Sequence, residues 1–195
     1  MPNPSTTPSP LLLALRDATR DCHKALEARL PFFDLGFDTA AYRRLLQAYY
    51  GFHAPLENQL GDYQGPERCK TAALTRDLLA LDLTEAEIDA LPLCQALPAI
   101  SDEASALGVM YVLEGSTLGG QVLKRAMAER LGIGHDSGAA FLDVYGEMTG
   151  SYWRSFLVRL GQASTATPAQ AATVQAAIDT FTRFEQWLAK SKVLI

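Results

Sequence analysis

The chain has 195 residues, 48% of them hydrophobic and 20% charged, with a formal net charge of −5. That length and hydrophobic share suit one domain with a substantial core and exclude wholesale disorder, and the acidic balance excludes a nucleic-acid binder with a dominant basic face. Three cysteines, Cys22, Cys69 and Cys94, form no Cys-x-x-Cys pair; this excludes a disulfide framework or zinc site and points to the cytoplasm.

Residues 1–10, rich in Pro, Ser and Thr, read as a disordered tail, and 11–195 as one helical domain. The apolar run Leu11–Leu15 is too short for a signal-peptide core or a membrane span, so no membrane partner is expected. An amphipathic helix is predicted over 11–30, stopped by Pro31. Thr39 is placed to cap a second helix, whose stripe runs Tyr42, Leu45, Leu46, Tyr49, Phe52, His53, Leu56 and Leu60. Gly61, Gly65 and Pro66 mark a loop, and 71–81 and 84–91 read as short helices. Ser101, Asp102 and Glu103 start a helix that continues to about Leu131, roughly 45 Å at 1.5 Å per residue. Residues 138–161 and 168–190 supply the last two helices. With no alternating strand pattern and no repeat, the class is all-α, a single-domain helical bundle.

Two stretches carry chemistry. His23 falls on the helix face that holds Leu12, Leu26 and Leu30, where a lone histidine is more often a core residue than a ligand. Its neighbours shift that balance. Glu27, one turn on, is placed to accept the outward ring N–H, which fixes the tautomer and leaves the other nitrogen's lone pair for a metal. Arg16 lies seven residues back, about 10.5 Å along the axis, and reads equally as a solvated cation or as the partner of a ligand's acidic groups. His53 reads as core packing and His135, in a glycine-rich loop, as solvated.

The second stretch runs from Gly108 to Gln121. Gly115, Gly119 and Gly120 each cost a helix interior about 1 kcal/mol relative to alanine, so something should offset them. Gly115 and Gly119 share a face. Close helix packing and a flat ligand against the backbone are both open, and the weakened ladder allows a kink.

At these residues the chain resembles the heme oxygenases. Leu15 to Glu27, with Ala18-Thr19 before His23, resembles their proximal helix, and Tyr111-Val112-Leu113-Glu114-Gly115-Ser116-Thr117-Leu118-Gly119-Gly120 their kinked distal helix. Tyr50-Gly51-Phe52, Pro55-Leu56-Glu57, Tyr145-Gly146, Trp153, Phe181 and Phe184 follow in the expected order over about 11–190. The resemblance implies heme b as cofactor and substrate, held between these two helices, with His23 as proximal iron ligand and Glu27 as its hydrogen-bond acceptor. It implies that Arg16 and Tyr111 meet the propionates, that Gly115 and Gly119 face the distal side, and that Arg154 and Phe181 touch heme. The implied reaction cleaves heme with O2 to biliverdin, the alpha isomer being usual, CO and ferrous iron.

Many members carry aspartate after the first distal glycine; here Ser116 stands there, as in a bacterial branch, and proton delivery falls to water held by its hydroxyl. No flavin or nicotinamide fingerprint is present, so an external reductant is required, a ferredoxin or a flavoprotein reductase. Arg16, Arg20, Lys24, Lys124 and Arg125 offer it a basic surface, or simply a solvated one. The same resemblance leads downstream to a bacteriophytochrome that takes biliverdin, or alternatively to iron acquisition. A non-catalytic heme carrier is the rival reading, and Arg16, His23 and Glu27 together weigh against a thiaminase-like enzyme of similar fold.

Overall fold

Helix α1 (Pro10–Arg29) begins where the Ser9 hydroxyl accepts a hydrogen bond from Leu12 N–H, with Pro10 in a first-turn position that needs no donor. The structure, a computed structural model, describes residues 8–195. Residues 1–7 of the expected tail lie outside the described residues. Its last two, Ser9 and Pro10, instead form the start of α1.

Helix α2 (Thr39–Leu60) is capped by Asp38 rather than Thr39: the extended Asp38 accepts Ala41 N–H at 2.7 Å. Pro55 lies inside α2 and cannot donate to the Gly51 carbonyl one turn back. That carbonyl accepts Cys94 N–H at 2.8 Å instead. Gly51 also has no room for a side chain, since a Cβ there would stand 2.4 Å from the Pro92 carbonyl oxygen. The proline and the glycine together dock residues 92–94 onto α2.

Helices α3 (Thr71–Ala80) and α4 (Glu85–Asp89) follow as expected, the latter closed by a Thr84–Glu87 capping box. Helix α5 (Glu103–Leu131) starts from Asp102, not Ser101, through a reciprocal pair with Ser105, and ends at Gly132 with φ 69°. Its ladder is continuous through Gly115, Gly119 and Gly120, so these residues open a face without ending the helix.

The helix expected from 138 is absent up to 148. Two isolated single turns, Phe141–Asp143 and Gly146–Met148, replace it, after a third at His135–Ser137. Gly138 (φ 123°) and Gly146 (φ 51°) turn the chain out of the helical region. The Asp77 carboxylate also accepts Ala140 N–H and Phe141 N–H, both at 2.7 Å. Helices α6 (Thr149–Gly161) and α7 (Thr167–Lys190) complete the bundle, and no strand occurs among the described residues.

Helix α7 is the common support. It packs along α5 and α1 and touches α2, while α6 lies against both α5 and α1. Gly108 permits the α5–α7 approach, because a Cβ there would stand 2.1 Å from the Thr173 carbonyl oxygen. The core between the helices includes Leu15, Tyr42, Leu45, Leu46, Phe52, Leu56, Leu74, Leu78 and Phe156, all fully buried. Each such side chain contributes about 1.5–3 kcal/mol.

Candidate functional site

On α1 the inward residues are Leu11, Leu12, Leu15, Thr19 and Leu26, and His23 lies outside that set. Its side chain is 53% exposed, which excludes the core-histidine reading. Its Nε2 stands 3.2 Å from Glu27 Oε1, one turn along, so one ring nitrogen faces a carboxylate and the other keeps a free lone pair. The Phe181 ring of α7 packs against the imidazole, with centroids 5.5 Å apart. Arg16, two turns back, is exposed and pairs with no acid among the described residues.

The α5 glycines divide into two kinds. Gly120 is filled from outside, since a Cβ there would stand 2.4 Å from the Leu142 carbonyl oxygen. Gly119 is open, with nothing within 4 Å of an added Cβ. At Gly115 the nearest atoms belong to the Trp153 indole of α6, at 3.9 Å. Of the two expectations, close packing therefore applies at Gly120 and an open face at Gly119, with Gly115 bordered by Trp153 but not filled. Leu118 and Val122, on the same side, are 43% and 64% exposed and extend that face as an apolar strip. Tyr111 is half-buried, its ring 6.1 Å from Trp153. The Ser116 hydroxyl donates to the Leu113 carbonyl at 2.9 Å, so its lone pairs, not its proton, face solvent.

Arg154 is exposed and donates to Ser151 Oγ at 3.0 Å. Of the expected donor-docking cations, Arg16, Lys24 and Arg125 are exposed, Arg20 pairs with Asp17 at 2.6 Å, and Lys124 pairs with Asp143. Asp143 is held below the usual carboxylate range: burial raises it, but the hydrogen bonds from Lys124 and Gln121 outweigh that.

Sequence reasoning missed a buried ionic cluster directly behind Gly115. Glu114, 1% exposed, takes Lys70 Nζ at 2.8 Å and Tyr145 Oη at 2.9 Å on one oxygen and Arg68 Nη1 on the other. Burial and the adjacent Glu114 push the Tyr145 phenol far up, so it stays a donor. A polar residue on the inward side of an apolar helix was the one available signal; its partners lie 31 to 46 residues away.

His53 is in the core, as expected, boxed by Tyr49, Phe52, Phe141 and Phe184. Its Nδ1 has no hydrogen-bond partner and lies 3.8 Å from Glu57. Burial raises the Glu57 carboxyl, but the His53 ring, the Thr71 hydroxyl and the Lys70 N–H bring it down to about 2. His135 is exposed, as expected, with its Nε2 against Arg76.

A hollow of about 440 Å³ at the far end of the bundle is lined by Thr39, Arg43, Leu81, Asp82 and Gly132 and contains none of the expected site residues. No cluster of three or more His, Cys, Asp or Glu that could hold a bare metal ion occurs among the described residues. A single exposed histidine with a carboxylate behind it instead suits an iron that brings its own macrocycle. The apolar strip on α5, without a side chain at Gly115 and Gly119, suits the macrocycle itself. The residues fit heme.

The chain matches the heme oxygenase family model over residues 9–190. It is 30% identical over 160 residues to a heme oxygenase of Xanthomonas campestris pv. campestris (strain 8004), which covers 78% of this chain and 91% of that protein. The fold superposes on the heme oxygenase of Leptospira interrogans with a TM-score of 0.76 at 19% identity, covering 93% of this chain and 100% of that one. It superposes on heme oxygenase-1 of Synechocystis sp. PCC6803, crystallised in complex with heme, with a TM-score of 0.73 at 17% identity, over 93% and 92% of the two chains. The NO- and CO-bound heme oxygenase from Neisseria meningitidis gives a TM-score of 0.70 at 22% identity, over 93% and 91%. With the family matched along nearly its whole length and the helical fold shared, this chain belongs to the heme oxygenase family and is an enzyme of heme degradation.

Proposed function

We propose that the enzyme cleaves heme to biliverdin, CO and ferrous iron on the surface between His23 and the Gly115–Gly119 face. The observation that carries this reading is the contrast among the α5 glycines: Gly108 and Gly120 are filled by neighbouring backbone, whereas nothing lies within 4 Å of a Cβ at Gly119 and only the Trp153 indole edge, at 3.9 Å, reaches Gly115. Packing alone accounts for the first pair. A flat ligand accounts for the second.

When bound, heme supplies the iron that activates O2 and also the ring that is cut. His23 offers its free ring nitrogen to the iron, and Glu27, accepting from the other nitrogen, fixes the tautomer. Phe181 holds the imidazole plane. Gly115 and Gly119 bring helix backbone against the ring, where no Cβ keeps it at a distance. Arg16 and Tyr111 meet the propionates and Arg154 touches heme; Arg16 and Arg154 are exposed and pair with no carboxylate among the described residues. Ser116 holds water through its lone pairs, because its proton is engaged by Leu113, and that water carries protons to the distal side.

Electrons come from an external ferredoxin or flavoprotein reductase, for which Arg16, Lys24 and Arg125 are the free cations. The three cysteines are unpaired, which fits a reducing cytoplasm. No helix among the described residues is long and apolar enough to cross a membrane. The biliverdin is read as supply for a phytochrome-type photoreceptor, with iron acquisition as the alternative purpose.

Turnover of the hemin complex with ascorbate in air tests the reading. The expected result is loss of the heme band and growth of the biliverdin band; a stable oxygenated spectrum would instead make the protein a heme carrier.

A further inference from the structure

We infer that Arg68 is a positioning residue that fixes where the glycine face of the heme-binding cleft stands by tying α5 to α6. The inference rests on the reading that heme lies between His23 and Gly115, with Trp153 bordering Gly115. One guanidinium nitrogen, Nη1, reaches Glu114, the residue immediately before Gly115. The other, Nη2, donates to Ser155 Oγ at 2.7 Å and to the Tyr152 carbonyl at 3.3 Å, on either side of Trp153 and Arg154. The same guanidinium lies over the Tyr152 ring, 5.2 Å from its centroid, and that ring stacks on Tyr145 at 4.1 Å. Tyr145 returns to Glu114, at 2.9 Å. The loop of contacts closes on itself and spans the two helices one residue away from Gly115 and from Trp153.

The chemistry of the tie is specific to arginine. A planar fork reaches a carboxylate on one side and a hydroxyl and carbonyl on the other in one rigid unit; an ammonium is a point charge without that span. Lys70 supplies the second positive charge on Glu114 but touches nothing on α6 beyond Tyr145 on the preceding turn. Buried ion pairs seldom add stability over an apolar contact of the same volume. What this one adds is a fixed α5–α6 distance at the level of Gly115.

The chain has two tryptophans, which makes the test direct. Protein labelled with 5-fluorotryptophan gives two fluorine resonances, assigned by Trp153→Phe. Trp187 is the internal control, because its indole N–H is bonded to the Ala48 carbonyl on α2, away from the tie. In heme-free Arg68→Lys the Trp153 resonance should shift and the Trp187 resonance should not. Hemin should then bind about tenfold more weakly, the loss of one charge-assisted hydrogen bond. Ser155→Ala, a milder change that keeps the ionic cluster, should move the Trp153 resonance in the same direction by less. An unmoved Trp153 resonance with wild-type hemin affinity in Arg68→Lys would overturn the inference. So would equal movement of both resonances, which would mean general loosening. If hemin leaves the wild-type Trp153 resonance in place, the heme reading fails and the claim about the cleft with it, while the heme-free spectra still decide whether Arg68 sets the helix spacing.

Discussion

Gly119 and Gly120 are chain neighbours on one helix, yet their surroundings predict opposite responses to the same substitution. Gly119→Ala meets nothing within 4 Å and removes the conformational cost of glycine, so the protein should gain up to about 1 kcal/mol while hemin affinity falls. Gly120→Ala forces a Cβ to within 2.4 Å of a backbone carbonyl that cannot rotate away, and should cost about 1–3 kcal/mol. Urea denaturation of the two heme-free variants checks this, and equal midpoints would contradict it. At this scale the sequence was legible where a helical repeat decides the answer. The four-residue spacing brings Glu27 to His23 and puts Gly115 with Gly119 whatever else the chain does. Which glycine would be filled was not legible, because Leu142 decides it from a segment of irregular turns. Nor was the cluster on Glu114, whose partners arrive from the turn Pro66–Arg68, from Lys70 just before α3 and from the loop at 145.

Between elements, the joint of α2 with the start of α3 depends on one carboxylate. Glu57 accepts Lys70 N–H at 2.7 Å, and Thr71 N–H and hydroxyl at 3.1 and 2.6 Å, closing the first turn of α3 onto the last turn of α2. In the folded protein its carboxyl is lowered from the ordinary 4.5 to about 2, so the unfolded chain takes up its proton first as pH falls. The stabilisation is fully present above about pH 5 and is lost between about pH 4.5 and 2, up to about 3 kcal/mol in all. The urea midpoint of wild type should therefore drop over that window, and Glu57→Gln should flatten the drop. A parallel fall in both proteins would show that other carboxylates carry it. While the caps of α2 and α5 fell one residue from those read in the sequence, at Asp38 and Asp102, element existence followed from apolar periodicity. The segment 138–148 did not: its sequence has helical apolar spacing, but Asp77 of α3 takes its amides and Gly138 and Gly146 turn the chain.

Across the whole molecule, α7 makes the site possible. It carries Phe181 against His23 on one side and receives Gly108 of α5 on the other, so the two helices proposed to hold heme are referenced to one support. That arrangement leaves His23 half exposed and the glycine strip uncovered in a protein whose remaining large side chains are mostly buried. We propose that this uncovered pair of surfaces holds heme through His23. The direct measurement is a hemin titration of wild type and His23→Ala, followed by addition of imidazole to the variant. Wild type should give a sharp Soret band at one equivalent, His23→Ala a weakened one, and imidazole should restore the band. An identical band in both proteins, or none in wild type, would contradict the claim.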